Sequence, residues 1–273
     1  MENYRNLDNK HRRYKAHIST AGTTQFHLRN PYVIAWWSAA FPGFGHLLLS
    51  KYLRGLVLFI WEVIVNNQAH INLAMVYSFS GQIEMAKDVL DTRWMLMYLP
   101  VFLFGIWDSY RTCLDLNKVH LLAERENAPF NSFVIGSLEI NYLDRRKPAM
   151  SVFWSAVMPG LGQLHIHRLL TAFFAMVWTI VFLYYSKALV AIQLLFMGDI
   201  PASTNVLDRQ WMLYMPSMWG FAIYDSYMNT VENNKLYANE QRSYLINHFQ
   251  RPGFRAKTGR IAGDYDLSGV RHV

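Results

Sequence analysis

Charge is scarce in this chain. Only 16% of its 273 residues are Asp, Glu, Lys or Arg, against roughly 25% in an average soluble domain. With 52% hydrophobic and 15% aromatic residues, the deficit points to lipid as the surrounding of much of the chain. Cysteine is nearly absent. The single Cys113 excludes an intrachain disulfide and a thiolate metal cluster, so packing must hold the fold. Also missing are a nucleotide fingerprint, a zinc motif and a Ser-His-Asp arrangement in supporting context. The chain therefore reads as non-enzymatic, with no cofactor, no metal and no catalytic residues.

The charges that exist are unevenly placed. The formal net charge is +7, with basic residues gathered in the first thirty positions, the middle of the chain and the C-terminal tail. Basic flanks beside apolar runs are what orientation in a bilayer requires, so this balance predicts a membrane protein and no nucleic-acid partner.

A repeat organises everything between the tails. Residues 31–118 and 148–235 align without a gap at an offset of 117. Pro42-Gly43-Phe44-Gly45 falls on Pro159-Gly160-Leu161-Gly162, Trp61 on Trp178, and Asp108-Ser109-Tyr110 on Asp225-Ser226-Tyr227. Such self-similarity dictates the architecture. It divides the chain into a basic N-terminal tail (1–30), repeat one (31–118), a linker (119–147), repeat two (148–235) and a basic C-terminal tail (236–273). Because the basic-then-apolar pattern of the N-terminus recurs at Lys147 to Met158, the first apolar stretch reads as a retained membrane element rather than a leader.

Each repeat holds three apolar segments. Segment A covers Tyr32 to Leu49 and Ala149 to Ile166. Segment B covers Gly55 to about Leu73 and Leu170 to about Ser186. Segment C covers Trp94 to Thr112 and Trp211 to about Thr230; acidic loops around Glu84, Asp88, Asp91, Asp199 and Asp208 are expected between B and C, and amphipathic extensions along the cytoplasmic face, Arg111 to Asn127 and Met228 to about Leu245, beyond C. Six full spans with the N-terminus inside would place Arg111, Lys118, Arg125, Arg145, Arg146 and Lys147 outside, against the rule that positive residues stay cytoplasmic. Four crossings put both tails and the linker inside. Charge does not separate A from C as the segment that fails to cross; segment A is the better candidate, because Pro-Gly-x-Gly leaves about ten helical residues before the break, roughly 15 Å at the helical rise. The turn residues Pro42, Gly43, Gly45, Pro159, Gly160 and Gly162 predict a half-helix, a tight turn and a return to the cytoplasmic face. Pro100 and Pro216 should kink segment C, and the stretches before Pro31 and Pro148 read as short extended lead-ins. The fold class expected is all-α: a multi-pass protein of the bacterial inner membrane, built from two tandem copies of a re-entrant hairpin plus two transmembrane helices.

Pro42-Gly43-Phe44-Gly45-His46, Lys51-Tyr52-Leu53-Arg54-Gly55 and Trp107-Asp108-Ser109-Tyr110, with Pro159-Gly160-Leu161-Gly162-Gln163 and Tyr224-Asp225-Ser226-Tyr227, resemble small bacterial two-helix membrane domains. Those domains carry a Pro-Gly-x-Gly-His/Gln turn and a late Asp. Both copies depart from them, lacking Arg-Phe-Tyr after the His/Gln position and having a long spacer between B and C. The resemblance implies a bacterial multi-pass membrane protein.

Three carboxylates are the polar candidates, because ionisable groups in or beside a span persist for pairing or for use. Asp108 and Asp225 close segment C in both repeats, and a structural role against the turn or its basic residues is favoured. Glu62 lies within segment B of repeat one only, its counterpart being Thr179; it is a functional group, a buried partner for Arg54 or a polar turn edge. Asp91 and Asp208, three residues before Trp94 and Trp211, fit helix N-caps. His46, His165 and His167 have no supporting carboxylate pattern and read as non-metal positions. The expected function is a scaffold or accessory subunit presenting basic cytoplasmic segments to a protein or to anionic lipid. The alternative is a small solute or ion transporter with its path between the repeats, suggested by Glu62, Asn66, Asn67 and the paired Asp residues.

Overall fold

The computed structural model describes residues 12–137 and 139–250. It is mostly helical, with two small antiparallel hairpins. Repeat one runs β1 (Ala16–Ser19), β2 (Gly22–Gln25), α1 (Pro31–Ala40), α2 (Phe44–Leu48), α3 (Tyr52–Ala69), α4 (Ile71–Phe79), α5 (Ile83–Val89) and α6 (Thr92–Glu126). Repeat two runs β3 (Phe133–Ile135), β4 (Ile140–Tyr142), α7 (Pro148–Val157), α8 (Leu161–His165), α9 (Leu169–Ser186), α10 (Ala188–Phe196), α11 (Ile200–Val206), α12 (Arg209–Met212) and α13 (Tyr214–Phe249). The bounds of α1 to α5 recur at +117 to the residue, and the hairpins recur at the same offset. The structural repeat thus begins before Pro31, where little sequence identity remains.

Local chemistry explains the starts and stops. Pro31 and Pro148 occupy the first helical turn, where the missing N–H costs nothing, and the Asn30 side chain accepts from Tyr32 N–H at 2.9 Å. After α1 and α7 the chain breaks at Pro42-Gly43 and Pro159-Gly160, with φ of 100° at Gly43 and 106° at Gly160. A Cβ at Gly45 would lie 2.6 Å from the Ile34 carbonyl oxygen, so α2 doubles back along α1, and α8 does the same along α7. Asp91 caps α6 through Arg93 and Trp94 N–H, and Asp208 caps α12 through Trp211 N–H.

Three expectations need correction. The stretches joining segments B and C are helical pairs, α4–α5 and α10–α11, turned at Gly81 and Gly198 with φ of 75° and 84°. The extension expected beyond segment C is not a separate element but continues it without a break: α6 is one 35-residue helix, about 52 Å long at the helical rise. It carries Pro100 internally, whereas Pro216 falls in the first turn of α13, just after the break that follows α12. Among the described residues one helix, α9, is long and apolar enough to cross a membrane. The pair α5 and α6, bent by 90°, passes the same test together. Arg54, Glu62 and Asn66 lower the hydropathy of α3 relative to its counterpart α9.

The core lies between the repeats within the compact unit 1–234. Phe44 of α2 stacks on Phe221 of α13 at 4.2 Å, and Phe59 of α3 meets Phe174 and Trp178 of α9 at 4.8 Å each. Phe41 and Phe182 complete the aromatic cluster around Tyr214. A second unit begins at Lys235. Its described part is the last stretch of α13, in which Tyr244 stacks on His248 at 4.3 Å. The first eleven residues and the basic stretch from Arg251 lie outside the described residues.

Candidate functional site

Each repeat folds its A hairpin against the late Asp of its own C helix. In repeat one, His46 Nε2 lies 3.0 Å from Asp108 Oδ2, and Arg54 donates to the same oxygen at 3.0 Å. In repeat two, Gln163 takes the place of His46 and donates Nε2–H to Asp225 Oδ2 at 3.3 Å. A glutamine nitrogen can only donate, so we assign the His46 proton to Nε2 by its equivalent place.

The arginines do not correspond. Arg54 aligns with Thr171, while Arg168, which pairs with Asp225 at 3.0 Å, aligns with Lys51. Repeat two neutralises the carboxylate from the residue that caps α9, repeat one from the first turn of α3, three positions further on. Asn229 adds a hydrogen bond to Asp225 Oδ1 at 2.9 Å. Arg168 and Asp225 are both buried, whereas the Arg54 side chain is 61% exposed. Arg168 also reaches across to the Tyr52 hydroxyl of repeat one at 3.4 Å.

Small hydroxyl residues let the hairpin and the C helix approach closely. Ser155 donates to Ser226 and Thr230 to Ser151, both at 2.9 Å and all buried. This stripe of small polar residues lets the two helices pack closely while their hydroxyls satisfy one another.

Glu62 sits elsewhere, in a buried network that joins the repeats. Asn66 donates to Glu62 Oε1 at 2.8 Å and to Asn72 Oδ1 at 3.0 Å. Gln210 of repeat two donates to Asn66 Oδ1 at 2.8 Å, accepts from Leu73 N–H at 2.8 Å, and its carbonyl accepts from Asn72 at 3.0 Å. Glu62 Oε2 makes no hydrogen bond of acceptable geometry, although the Tyr98 hydroxyl faces the carboxyl. The expectation of Glu62 as a partner for Arg54 is corrected: Arg54 serves Asp108. Sequence reading found Glu62 and Asn66 but missed Gln210, whose counterpart Arg93 gave no hint of a buried amide.

A third motif was invisible in the sequence until its two copies were seen folded. The Arg29 N–H donates to Asn117 Oδ1 at 3.0 Å while Asn117 Nδ2 donates to the Arg29 carbonyl at 2.8 Å. Arg146 and Asn234 repeat this clamp at 2.9 and 2.7 Å. Each pins the chain entering segment A to the helix leaving segment C. Near the N-terminus, Glu126 accepts from the Arg12 and Arg13 N–H groups at 2.9 and 2.8 Å. These bonds hold its carboxyl below the usual range.

Among the described residues no group of His, Cys, Asp and Glu is arranged to hold a metal ion. His46 is committed to Asp108, and His167 donates to the Thr20 carbonyl at 3.1 Å. The cavities at Asn141–Arg146 and Thr24–Arg29 are equivalents in the two repeats and take no more than water-sized guests. No family model, curated protein or solved structure matches the chain.

Proposed function

We propose that this chain is a non-enzymatic, multi-pass membrane scaffold whose basic cytoplasmic surface receives a protein or anionic lipid. Its A hairpins are re-entrant, and its C helices extend beyond the bilayer into the cytoplasm. The observation that carries this reading is the saturation of the late carboxylates. Asp108 and Asp225 are each closed by an arginine and a His or Gln from their own hairpin, which is how charge is held for architecture rather than for chemistry. The outward face of α9, with Phe173, Val177 and Ile180 exposed, suits contact with lipid tails. Arg145 and Lys147 are exposed in the linker and are available to an acidic partner.

Two measurements test this. Ser132→Cys on a Cys113→Ser background should be labelled only after the cells are permeabilised; labelling in intact cells would restore six spans. Replacing Arg145 and Lys147 with Glu should leave the protein in the membrane but strip its co-purifying partner or anionic lipid. Unchanged composition of the purified material would defeat the scaffold reading.

The network of Glu62, Asn66, Asn72 and Gln210 supports a second reading, a small transporter with its path between the repeats. An ionisable group buried at a repeat junction is where such proteins bind their ions. Proteoliposome flux that falls on Glu62→Gln would favour it, and flux indifferent to that change would remove it.

A further inference from the structure

The two repeats meet through a head-to-tail interface that uses each contact surface once. Trp37 on α1 of repeat one packs edge-on against Phe221 on α13 of repeat two, ring centres 6.1 Å apart. Both residues are retained in the other repeat, as Trp154 and Phe104. These copies do not meet. Phe104 leans on Trp107 of its own helix and Trp154 on its neighbour Phe153. Trp37 is 6% exposed and Phe221 0%, but Trp154 is 40% and Phe104 51% exposed. Likewise Tyr214 is buried and its equivalent Met97 is exposed.

The hairpins repeat the pattern outside the helical layer. The first hairpin's turn grips the second repeat's A–B turn through Leu169 N–H to Ala21 O at 3.2 Å and His167 to Thr20 O at 3.1 Å. Repeat one has the same receiving shape, with φ of 58° at Ser50 matching 59° at His167. Yet Lys51 beside it is exposed. The second hairpin also shows its apolar side: Ile18 is 5% exposed and its equivalent Ile135 is 69%. Lipid tails explain an exposed Phe104; they do not explain Ile135 on a hairpin within the basic linker.

We infer that a second copy of this chain covers these surfaces. The α7 face and second hairpin of one molecule would seat on the α6 face and A–B turn of the next, as repeat one seats on repeat two within the chain. Both free surfaces run in the same direction along the repeat order, so the contact is heterologous and closes into a ring or continues as a row. The occupant is set by continuity with the intrachain interface, whose two ends these surfaces are.

Cysteine pairs in native membranes, on the full chain with Cys113→Ser, test this. Trp37→Cys with Phe221→Cys should give an intrachain product with a short bismaleimide and calibrates its reach. Trp154→Cys with Phe104→Cys should give an interchain product, and Tyr184→Cys with Phe104→Cys should not. Adding Ile135→Lys, an exposed position whose change leaves each molecule folded, should lower the interchain yield roughly five- to tenfold. No interchain product from the matched pair, equal yield from the mismatched pair, or an intrachain product from Trp154→Cys with Phe104→Cys would overturn the inference. The first of those outcomes would leave lipid as the cover.

Discussion

Arg168 and Asp225 form a 3.0 Å ion pair from which solvent is excluded on both sides, while the equivalent Asp108 is served by an arginine that remains 61% exposed. The same carboxylate therefore carries different weight in the two repeats. Removing one partner of a buried pair strands the other charge, at a cost of about 3–5 kcal/mol. Asp225→Asn should destabilise the protein on that scale. Asp108→Asn should cost about 1 kcal/mol, because Arg54 can turn outward and the amide oxygen still accepts from His46. Thermal unfolding of both variants in one detergent checks the ranking, and equal losses would contradict it.

The A hairpin depends on glycine where backbone meets backbone. At Gly45 a methyl group would crowd both Ser38 Oγ and the Ile34 carbonyl, whereas at Gly105 the nearest atom would stand 3.8 Å away. Gly45→Ala should destabilise by about 1–3 kcal/mol through overpacking. Gly105→Ala, within α6, should instead be neutral or stabilise by up to about 1 kcal/mol, since alanine restricts the unfolded chain. Denaturation midpoints of the two variants, compared with the parent, test the contrast.

The paired asparagine clamps make a symmetric prediction. Asn117→Ala and Asn234→Ala each remove the asparagine from the N–H and carbonyl of an arginine, the Arg29 carbonyl keeping the Cys113 thiol at 3.6 Å, costing about 1–3 kcal/mol. Hydrogen exchange should rise locally at residue 29 in the first variant and at residue 146 in the second. A rise at both sites in either variant would show that the clamps are not independent.

Acid should release the N-terminal segment from α6. The Glu126 carboxyl is held below its ordinary value by hydrogen bonds from the Arg12 and Arg13 backbone, and by the Arg13 side chain. A depressed carboxylate contributes stability that is complete above the unfolded value of about 4.3. That contribution is lost as pH falls through the lower folded value. Protection factors at residues 12–15, exchange rates divided into the intrinsic rates at the same pH, should fall as pH drops below about 4, and Glu126→Gln should make them low and independent of pH over the same range.

Much of the fold was legible because the repeat was. The helix starts at Pro31 and Pro148, the breaks at Pro42-Gly43 and Pro159-Gly160, and the capping roles of Asp91 and Asp208 all follow from local rules acting within a turn or two. The hairpins were legible only as extended lead-ins, because strand pairing in β1–β2 and β3–β4 is carried by backbone bonds that leave little trace in residue identity. The helical pairs between segments B and C escaped notice because mixed polar and apolar residues around Gly81 and Gly198 read as loop. Of the candidate site, the two late Asp residues could be named. Their partners were legible only as the basic residues around the A–B turn; which residue pairs with which Asp was not, because Arg54 and Arg168 are not aligned and only the folded path brings each within 3.0 Å.

Residue order alone determined two like modules, the helix starts at Pro31 and Pro148 and the turn that folds each A segment back, since those depend on short-range geometry copied in both halves. It assigned Trp37 and Trp154, or Phe104 and Phe221, no difference. Tertiary packing made the difference: two modules joined head to tail bury one member of each pair and leave the other uncovered, because a heterologous contact between only two copies always has two free ends.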